Sequence, residues 1–306
     1  KNRNKMNIFI FVVVFCTYSV AGQPYEPCAR GLESSSETSP WCYWWSSLGS
    51  FGVVNWFEAR RDCQHLNGEL ASIADIPELN YLMARHDVGG GRRNNNYWLG
   101  GTDEPGRNGT WVWSDGTPWD PNVAANGWGL GRPRGDPHHC NLWWGGAFNT
   151  GSWNDRDCDN VNLLFLCKFR KANVCSCEEN ESKECDIGFG CTSFRVCESG
   201  RVITVECPEG QIVHPDTLEC QSPLQVPPPC GDYRNCTGMA DGSYPIADDF
   251  CRSYYRCEGG NIQLTGLCPA GTVFDQPRQV CLDRDQVCPP CGTATETPVG
   301  PCPTTP

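Results

Sequence analysis

The sequence predicts a multi-domain, disulfide-rich protein: one α+β domain followed by two small cysteine-stapled units. Three observations predict it. The chain has 306 residues, enough for more than one domain, and 23 of them are cysteine. Helix-start signals and tryptophan-rich strand patterns run to about residue 170, whereas from Cys175 onward apolar periodicity fades and proline and glycine rise. Beyond Cys175, a single six-cysteine spacing occurs twice.

Met6 reads as the true start. Ile8 to Phe15 is an apolar run with a small-residue exit at Ser19-Val20-Ala21-Gly22. That run is too short to cross a bilayer and has the form of a cleaved signal peptide over residues 1–22. With no later membrane-spanning segment in the sequence, a secreted, extracellular chain is expected. Lys1, Arg3 and Lys5 leave with the leader and no acid does, so the net charge moves from −12 to −15. Such acidity gives no footprint for nucleic acid or an anionic membrane. Loss of Cys16 leaves 22 cysteines, an even number suited to disulfides in an oxidising compartment. Zinc competes for thiols, but Cys-x2-Cys spacing occurs just at Cys288 and Cys291, in a proline-rich tail.

Gln23 to Pro40 is polar and serine-rich, and Trp41-Cys42-Tyr43-Trp44-Trp45 follows. Asn55 with Glu58 three positions later marks a helix start, and Trp56, Ala59, Cys63 and Leu66 then share one face before Gly68 ends the run. Asp75-Ile-Pro-Glu78 opens a second helix whose buried side is Leu79, Leu82 and Met83. Tyr97-Trp-Leu-Gly100 and Trp111-Val-Trp113 read as buried strands, their tryptophans as core.

The next stretch carries the chemistry. It runs Trp128-Gly-Leu-Gly-Arg-Pro-Arg134, then His138-His139-Cys140, then Trp153-Asn154-Asp155 and Cys158, and closes at Phe165-Leu-Cys167. It resembles the second half of a C-type lectin domain, and the Trp-Leu-Gly and Trp-Val-Trp strands match that family's signatures. The resemblance implies a lectin-like domain over residues 28–170 with bridges Cys28–Cys42, Cys63–Cys167 and Cys140–Cys158. In that family a cis-proline loop and the Trp-Asn-Asp strand together hold calcium and a sugar.

Here Asn154 and Asp155 match and would supply oxygens to a metal. The proline triplet, however, is Arg132-Pro133-Arg134, and His138 stands where an acid is expected. Calcium wants six to eight oxygens. A guanidinium beside a dication would cost on the order of 5 kcal/mol or more at an effective dielectric near 20. Asp136 is the carboxylate that could move in. The calcium site is therefore expected to be degenerate, with Asn154 and Asp155 bonding the loop. Arg132, Arg134, His138 and His139 leave two readings open: a solvated loop, or a metal-free site for a sulfated, uronic or sialylated glycan. The Asp155-x-Asp157-x-Asp159 run lacks the glycine and closing glutamate of an EF-hand.

The two repeats are Cys177-x13-Cys191-x5-Cys197-x9-Cys207-x12-Cys220-x9-Cys230 and Cys236-x14-Cys251-x5-Cys257-x10-Cys268-x12-Cys281-x6-Cys288. Both carry Cys-Pro-x-Gly, at Cys207 and Cys268, and Pro227-Pro228-Pro229 stiffens the link. They resemble peritrophin-A-type chitin-binding modules. The second copy matches throughout, including the aromatic Tyr254 between Cys251 and Cys257 and the Phe274-Asp275 pair after its Cys-Pro-x-Gly.

The resemblance implies two small β-hairpin modules, at residues 175–230 and 234–288. It pairs Cys236–Cys257, Cys251–Cys288 and Cys268–Cys281, and by analogy Cys177–Cys197, Cys191–Cys230 and Cys207–Cys220. Cys175–Cys185 and Cys291–Cys302 are the economical pairings of the remaining cysteines. The Pro/Thr-rich tail, 289–306, is expected to be disordered.

Chitin is nearly uncharged and offers flat sugar faces, so a binder needs exposed aromatic rings and hydrogen-bonding groups, with neither a metal nor a nucleophile. Phe250, Tyr254, Tyr255, Phe274 and Asp275 are the candidates, with Phe194 a weaker one in the first repeat, where Val213-His214 replaces Phe-Asp. Tyr254 and Tyr255 are neighbours, so on a strand just one can face inward. Asn108, Asn180 and Asn235 head glycosylation motifs.

A chitin hydrolase would need a barrel of about 250 residues and paired carboxylates, for which the chain has no room. The expected function is thus a secreted, non-catalytic carbohydrate-binding protein, joining chitin to a glycan-recognition domain in immunity or a matrix. The alternative is a structural or mineral-associated chitin matrix protein, and a lesser one an accessory to a chitin-degrading enzyme.

Overall fold

The computed structural model describes residues 28, 39–48, 52–87, 95–104, 107–145, 152–171, 184–187, 191–198, 201–228, 230–297 and 300–302. Its first helix starts where short-range chemistry dictates. The Asn55 side chain accepts from the Glu58 N–H at 2.9 Å, and the Glu58 carboxylate accepts from the Asn55 N–H at 3.2 Å. This reciprocal capping box sets the first turn of α1 (Trp56–His65), which buries Trp56, Phe57, Ala59 and Cys63. α2 (Ile76–Asp87) begins with Asp75 accepting from the Glu78 N–H. A third helix, α3 (Pro121–Gly127), has too few apolar residues for periodicity to reveal it. Asp120 caps it, with Pro121 in the first turn.

The strands of the N-terminal domain are β1 (Trp41–Trp45), β2 (Glu69–Leu70), β3 (Tyr97–Thr102), β4 (Val112–Trp113), β5 (Cys140–Trp144), β6 (Ser152–Arg156) and β7 (Leu164–Arg170). They form one sheet in the order β1-β7-β3-β5-β6, with β2 added on β7 and β4 on β3. β3 and β7 run parallel, and β1 lies antiparallel to β7, so the domain's two ends sit side by side. One core packs α1 against the sheet and holds the Cys63–Cys167 bridge. The other packs α2 against Trp143, Trp153 and Trp113. Cys28–Cys42 and Cys140–Cys158 complete the stapling.

Beyond this domain, β8 (Glu184–Ile187), β9 (Ser193–Glu198) and β10 (Arg201–Glu206) form a three-stranded sheet, followed by the hairpin of β11 (Ile212–Val213) and β12 (Cys220–Gln221). The pattern recurs with β13 (Gly242–Pro245), β14 (Ser253–Glu258) and β15 (Asn261–Leu267), then β16 (Thr272–Asp275) and β17 (Val280–Asp283). The two units agree bond by bond. Val213 N–H donates to the Cys191 carbonyl and Phe274 N–H to that of Cys251, both at 2.8 Å. Each hairpin leads into a 3-10 turn, a buried valine (Val226 or Val287) and a Cys-Gly pair. A Cβ on Gly231 or Gly292 would overlap the carbonyl oxygen of that valine, so both places demand glycine.

This equivalence corrects the expected pairing. Cys251 bonds Cys291, not Cys288, and Cys288 bonds Cys302. The counterpart of Cys230, which bonds Cys191, is thus Cys291. The 3-10 turn at Arg284–Gln286 folds the chain so that Cys291, with Val273 and Val287, packs on Cys251. Cys288 is left facing the tail. The described residues 289–297 and 300–302 are consequently not the disordered tail expected: β18 (Glu296–Thr297) pairs with β19 (Gly300–Pro301), and Ala294 is buried. Cys207–Cys220, Cys236–Cys257 and Cys268–Cys281 are formed. Cys175 and Cys177, and with them the pairings Cys175–Cys185 and Cys177–Cys197, lie outside the described residues.

The last unit is pinned to the N-terminal domain. Arg252 Nη2 lies 2.5 Å from Asp159 Oδ1, and Arg284 Nε lies 3.2 Å from Glu104 Oε2; the four side chains are 2–6 % exposed. The Arg252–Asp159 contact is an ion pair without directed hydrogen-bond geometry. Arg252 also lies over the Phe57 ring at 4.8 Å. Phe250, in a left-handed backbone conformation, stacks on Trp56 with centroids 6.2 Å apart.

Candidate functional site

The long loop hangs from the edge of the sheet. Gly129 N–H donates to the Trp153 carbonyl, and Trp128 packs into a cluster with Trp111, Trp119 and Trp153. Gly131 and Gly135 take positive φ on either side of Arg132-Pro133-Arg134, and the Arg132–Pro133 and Asp136–Pro137 bonds are cis. Inside the loop sits Asp155 of β6, whose side chain is fully buried. It accepts from Arg132 Nη1 at 3.0 Å, from the Arg134 N–H at 2.5 Å and from the Gly135 N–H at 3.3 Å. Asn154 Oδ1 accepts from the Asp155 N–H at 2.9 Å and from Arg156 Nη1 at 3.0 Å.

These residues do not fit calcium. The oxygens that would ligate it, on Asn154 and Asp155, are taken by protein donors, and a guanidinium stands in the cation's place. Asp136 does not move in: its side chain is 86 % exposed and bonds His139 Nε2 at 3.3 Å. Among the described residues no cluster of three or more His, Cys, Asp or Glu side chains could hold a metal. Asn154 and Asp155 bond the loop and its flanking strand. The Arg132–Asp155 ion pair, with the Arg134 and Gly135 N–H groups, ties the loop to β6.

Two histidines beside it differ. Burial opposes charging of His139, but the hydrogen bond and charge of Asp103 at 2.9 Å, with Asp136 and Glu104 adding, outweigh it and raise its pKa. His138 is pushed the other way, by burial first and then by Arg156, Arg132 and Arg134, against the pull of Asp155. Arg156, which the sequence alone does not single out, joins the cluster from β6.

In the last unit, strand geometry divides the aromatic candidates. Tyr254 faces inward, stacked on Phe274 at 4.6 Å and 23°, over Gly266, where any Cβ would overlap the tyrosine ring. Phe274 and Asp275 are 3 % and 4 % exposed, and Asp275 pairs with Arg278 at 3.0 Å. Phe250 is spent on Trp56. Phe274 and Asp275 are thus buried, while Tyr254 and Phe250 are half-buried against Phe274 and Trp56.

Tyr255 lies on the opposite face of β14, half-buried, beside its cross-strand partner Tyr244, with ring centroids 5.7 Å apart and planes at 30°. Tyr244 is a residue that sequence reasoning misses, because its place opposite Tyr255 depends on the strand register. In the first unit Phe194 is half-buried on β9 opposite Val205, and His214 accepts from the Asp216 N–H through Nδ1. Asn108 and Asn235 are exposed, and Asn180 is outside the described residues.

Residues 53–169 match the family described as Lectin C-type domain, and residues 236–291 match the Chitin binding Peritrophin-A domain. The second match ends at Cys291, the cysteine that the disulfide to Cys251 identifies. Human C-type lectin domain family 4 member K is 31 % identical over 133 residues, which cover 42 % of this chain and 37 % of that protein. Human C-type lectin domain family 4 member C is 28 % identical over 138 residues, 44 % of this chain and 61 % of that protein. The chain thus spans less than two thirds of the length of these relatives. Among solved structures, the cow CD23 carbohydrate-recognition domain is 25 % identical with a TM-score of 0.37, covering 47 % of this chain and 96 % of that one.

Proposed function

We propose that this chain, which carries a C-type lectin domain and a peritrophin-A chitin-binding domain, is a secreted, non-catalytic protein that holds chitin and presents the lectin domain for glycan recognition. The leader over residues 1–22 exports it, and the density of disulfides suits an oxidising exterior. No helix among the described residues is long and apolar enough to cross a membrane.

The observation that carries the reading is the Tyr244–Tyr255 pair on the outer face of β13 and β14. Two half-exposed rings set side by side offer a stacking platform for an N-acetylated pyranose, a contact that needs no metal. We assign residues 191–231 as a second module of the same kind, supported by the shared hydrogen bonds, the Cys191–Cys230 bridge and the twin glycines. It lacks a tyrosine pair and serves as the weaker site. Two linked sites gain avidity on a polymer.

Retention of the whole chain on chitin beads in a calcium chelator tests this. Tyr244→Ala with Tyr255→Ala is expected to release at least about nine tenths of the bound protein, since loss of stacking worth about 1.5 kcal/mol is a tenfold change in affinity. Full retention by that double variant would move the site elsewhere. Retention that disappears with the chelator would return the lectin domain to calcium chemistry.

A further inference from the structure

We propose that the arginine loop of the lectin domain is a calcium-independent site for an anionic saccharide, one bearing sulfate or carboxylate groups on its rings. The proposal rests on reading that domain as a glycan-recognition module, and it names the class of glycan. Its starting point is a charge imbalance. Arg132, Arg134, Arg156 and His138 surround one carboxylate, Asp155, in a chain with 36 acidic and 24 basic residues. Composition alone would place acids here.

The carboxylate neutralises just one of the cations. Arg132 is within 3.0 Å of Asp155 and turned inward. Arg156 spends Nη1 on the Asn154 side chain and the Asp155 carbonyl, lies over Trp144 at 5.0 Å, and meets no carboxylate side chain among the described residues. Arg134 is exposed, and while its N–H is bonded to Asp155, its guanidinium has no partner among the described residues. Two guanidinium groups without a carboxylate contact among the described residues, Arg134 on the loop and Arg156 on the adjoining β6, present planar forks that match sulfate and carboxylate oxygens bidentately. Burial first, and then Arg132 and Arg134, lower the Arg156 pKa against the pull of Asp155.

The rest of the site suits a sugar ring in place of a bare ion. Leu130, two residues before Arg132, is 97 % exposed, a large apolar side chain held in solvent at the loop tip. Trp144 is half-buried beneath Arg156 and adds an aromatic surface. His138 Nδ1 is buried without a hydrogen-bond partner, 3.9 Å from Asp155, and its half-buried ring lies among the arginines. A neutral sugar would use these groups and leave both arginines unmatched, whereas an anionic one satisfies them.

Titration calorimetry of the whole chain in a calcium chelator tests the assignment with three hexasaccharides: chondroitin sulfate, unsulfated chondroitin and chitohexaose. Binding of chondroitin sulfate is expected, weakening as salt rises from about 0.05 to 0.5 M because exposed charge pairs are screened. Unsulfated chondroitin keeps the carboxylates alone. Its binding would make the carboxylate sufficient, and its failure beside a bound sulfated chain would make sulfate the recognised group.

Arg134→Gln should weaken binding roughly tenfold, the loss of one charge-assisted contact. Its tryptophan-monitored melting should not move, since the side chain has no partner to lose. Arg134→Gln with Arg156→Gln should abolish binding. The idea fails if neither anionic saccharide binds, if binding appears just with calcium, or if the double variant binds as well as the wild type. Chitohexaose reads the peritrophin-A domain separately: a protein that binds it and ignores both anions refutes the anionic site while leaving the chitin reading intact.

Discussion

His139 shows how a single side chain can tie the lectin domain's stability to pH. It is 2 % exposed, and Asp103 and Asp136 stabilise its charged form enough to raise its pKa above the ordinary value near 6.5. A histidine whose pKa is raised on folding binds its proton more tightly in the native state. Its contribution is therefore fully present below about pH 6.5 and is lost as pH rises through the higher folded value. All twelve tryptophans lie between Trp41 and Trp153, so fluorescence melting reports this domain alone. We expect its midpoint to fall between about pH 6 and 8, and His139→Gln to remove that slope. A wild-type midpoint that is flat across this range would show that the Asp103 contact does not favour the imidazolium.

At the level of elements, the hairpin modules depend on which loop each bridge closes. The chain-entropy relation gives about 4 kcal/mol for the 40-residue separation of Cys251–Cys291 and about 3 kcal/mol for the 14 residues of Cys288–Cys302. That difference is too small to rank them. Packing does so: Cys251 and Cys291 form the module's core with Val273 and Val287, while Cys288 is partly exposed and ties down a two-stranded appendage. Cys251→Ser with Cys291→Ser should abolish retention on chitin beads, whereas Cys288→Ser with Cys302→Ser should keep most of it. Equal loss in the two double variants would mean that the C-terminal hairpin supports the tyrosine face directly.

Across the whole molecule, two buried ion pairs join the chitin-binding domain to the lectin domain. Their partners come from turns far apart in sequence, Asp159 with Arg252 and Glu104 with Arg284. Buried pairs of this kind do little for stability compared with apolar packing, but removing one partner leaves a charge in a dry interface, at a cost of about 3–5 kcal/mol. Glu104→Gln with Asp159→Asn should therefore detach the domain. The expected signs are a larger radius of gyration in X-ray scattering and a changed emission from Trp56, which has lost Phe250. An unchanged scattering curve would show that the Phe250–Trp56 stack and the Arg252–Phe57 contact suffice. These contacts hold the lectin domain and the chitin-binding domain against each other.

Local rules carried much of this in the sequence. The Asn55–Glu58 capping box, the alternation of the tryptophan strands and the damaged ligand positions at Arg132, Arg134 and His138 are legible because each depends on residues within a turn or on one substituted side chain. The family resemblances supplied the disulfides of the lectin domain and the hairpin character of the modules. What tertiary structure decided was partner choice: Cys291 for Cys251, Trp56 for Phe250, Asp159 for Arg252, Phe274 for Tyr254 and Tyr244 for Tyr255. Strand register and the meeting of distant turns settle such choices, and neither leaves a periodic trace in the chain. At the proline loop the sequence put Arg132, Arg134 and His138 where oxygen ligands were expected, and the fold paired Arg132 and two loop N–H groups with Asp155, which is too deeply buried to remain unpaired.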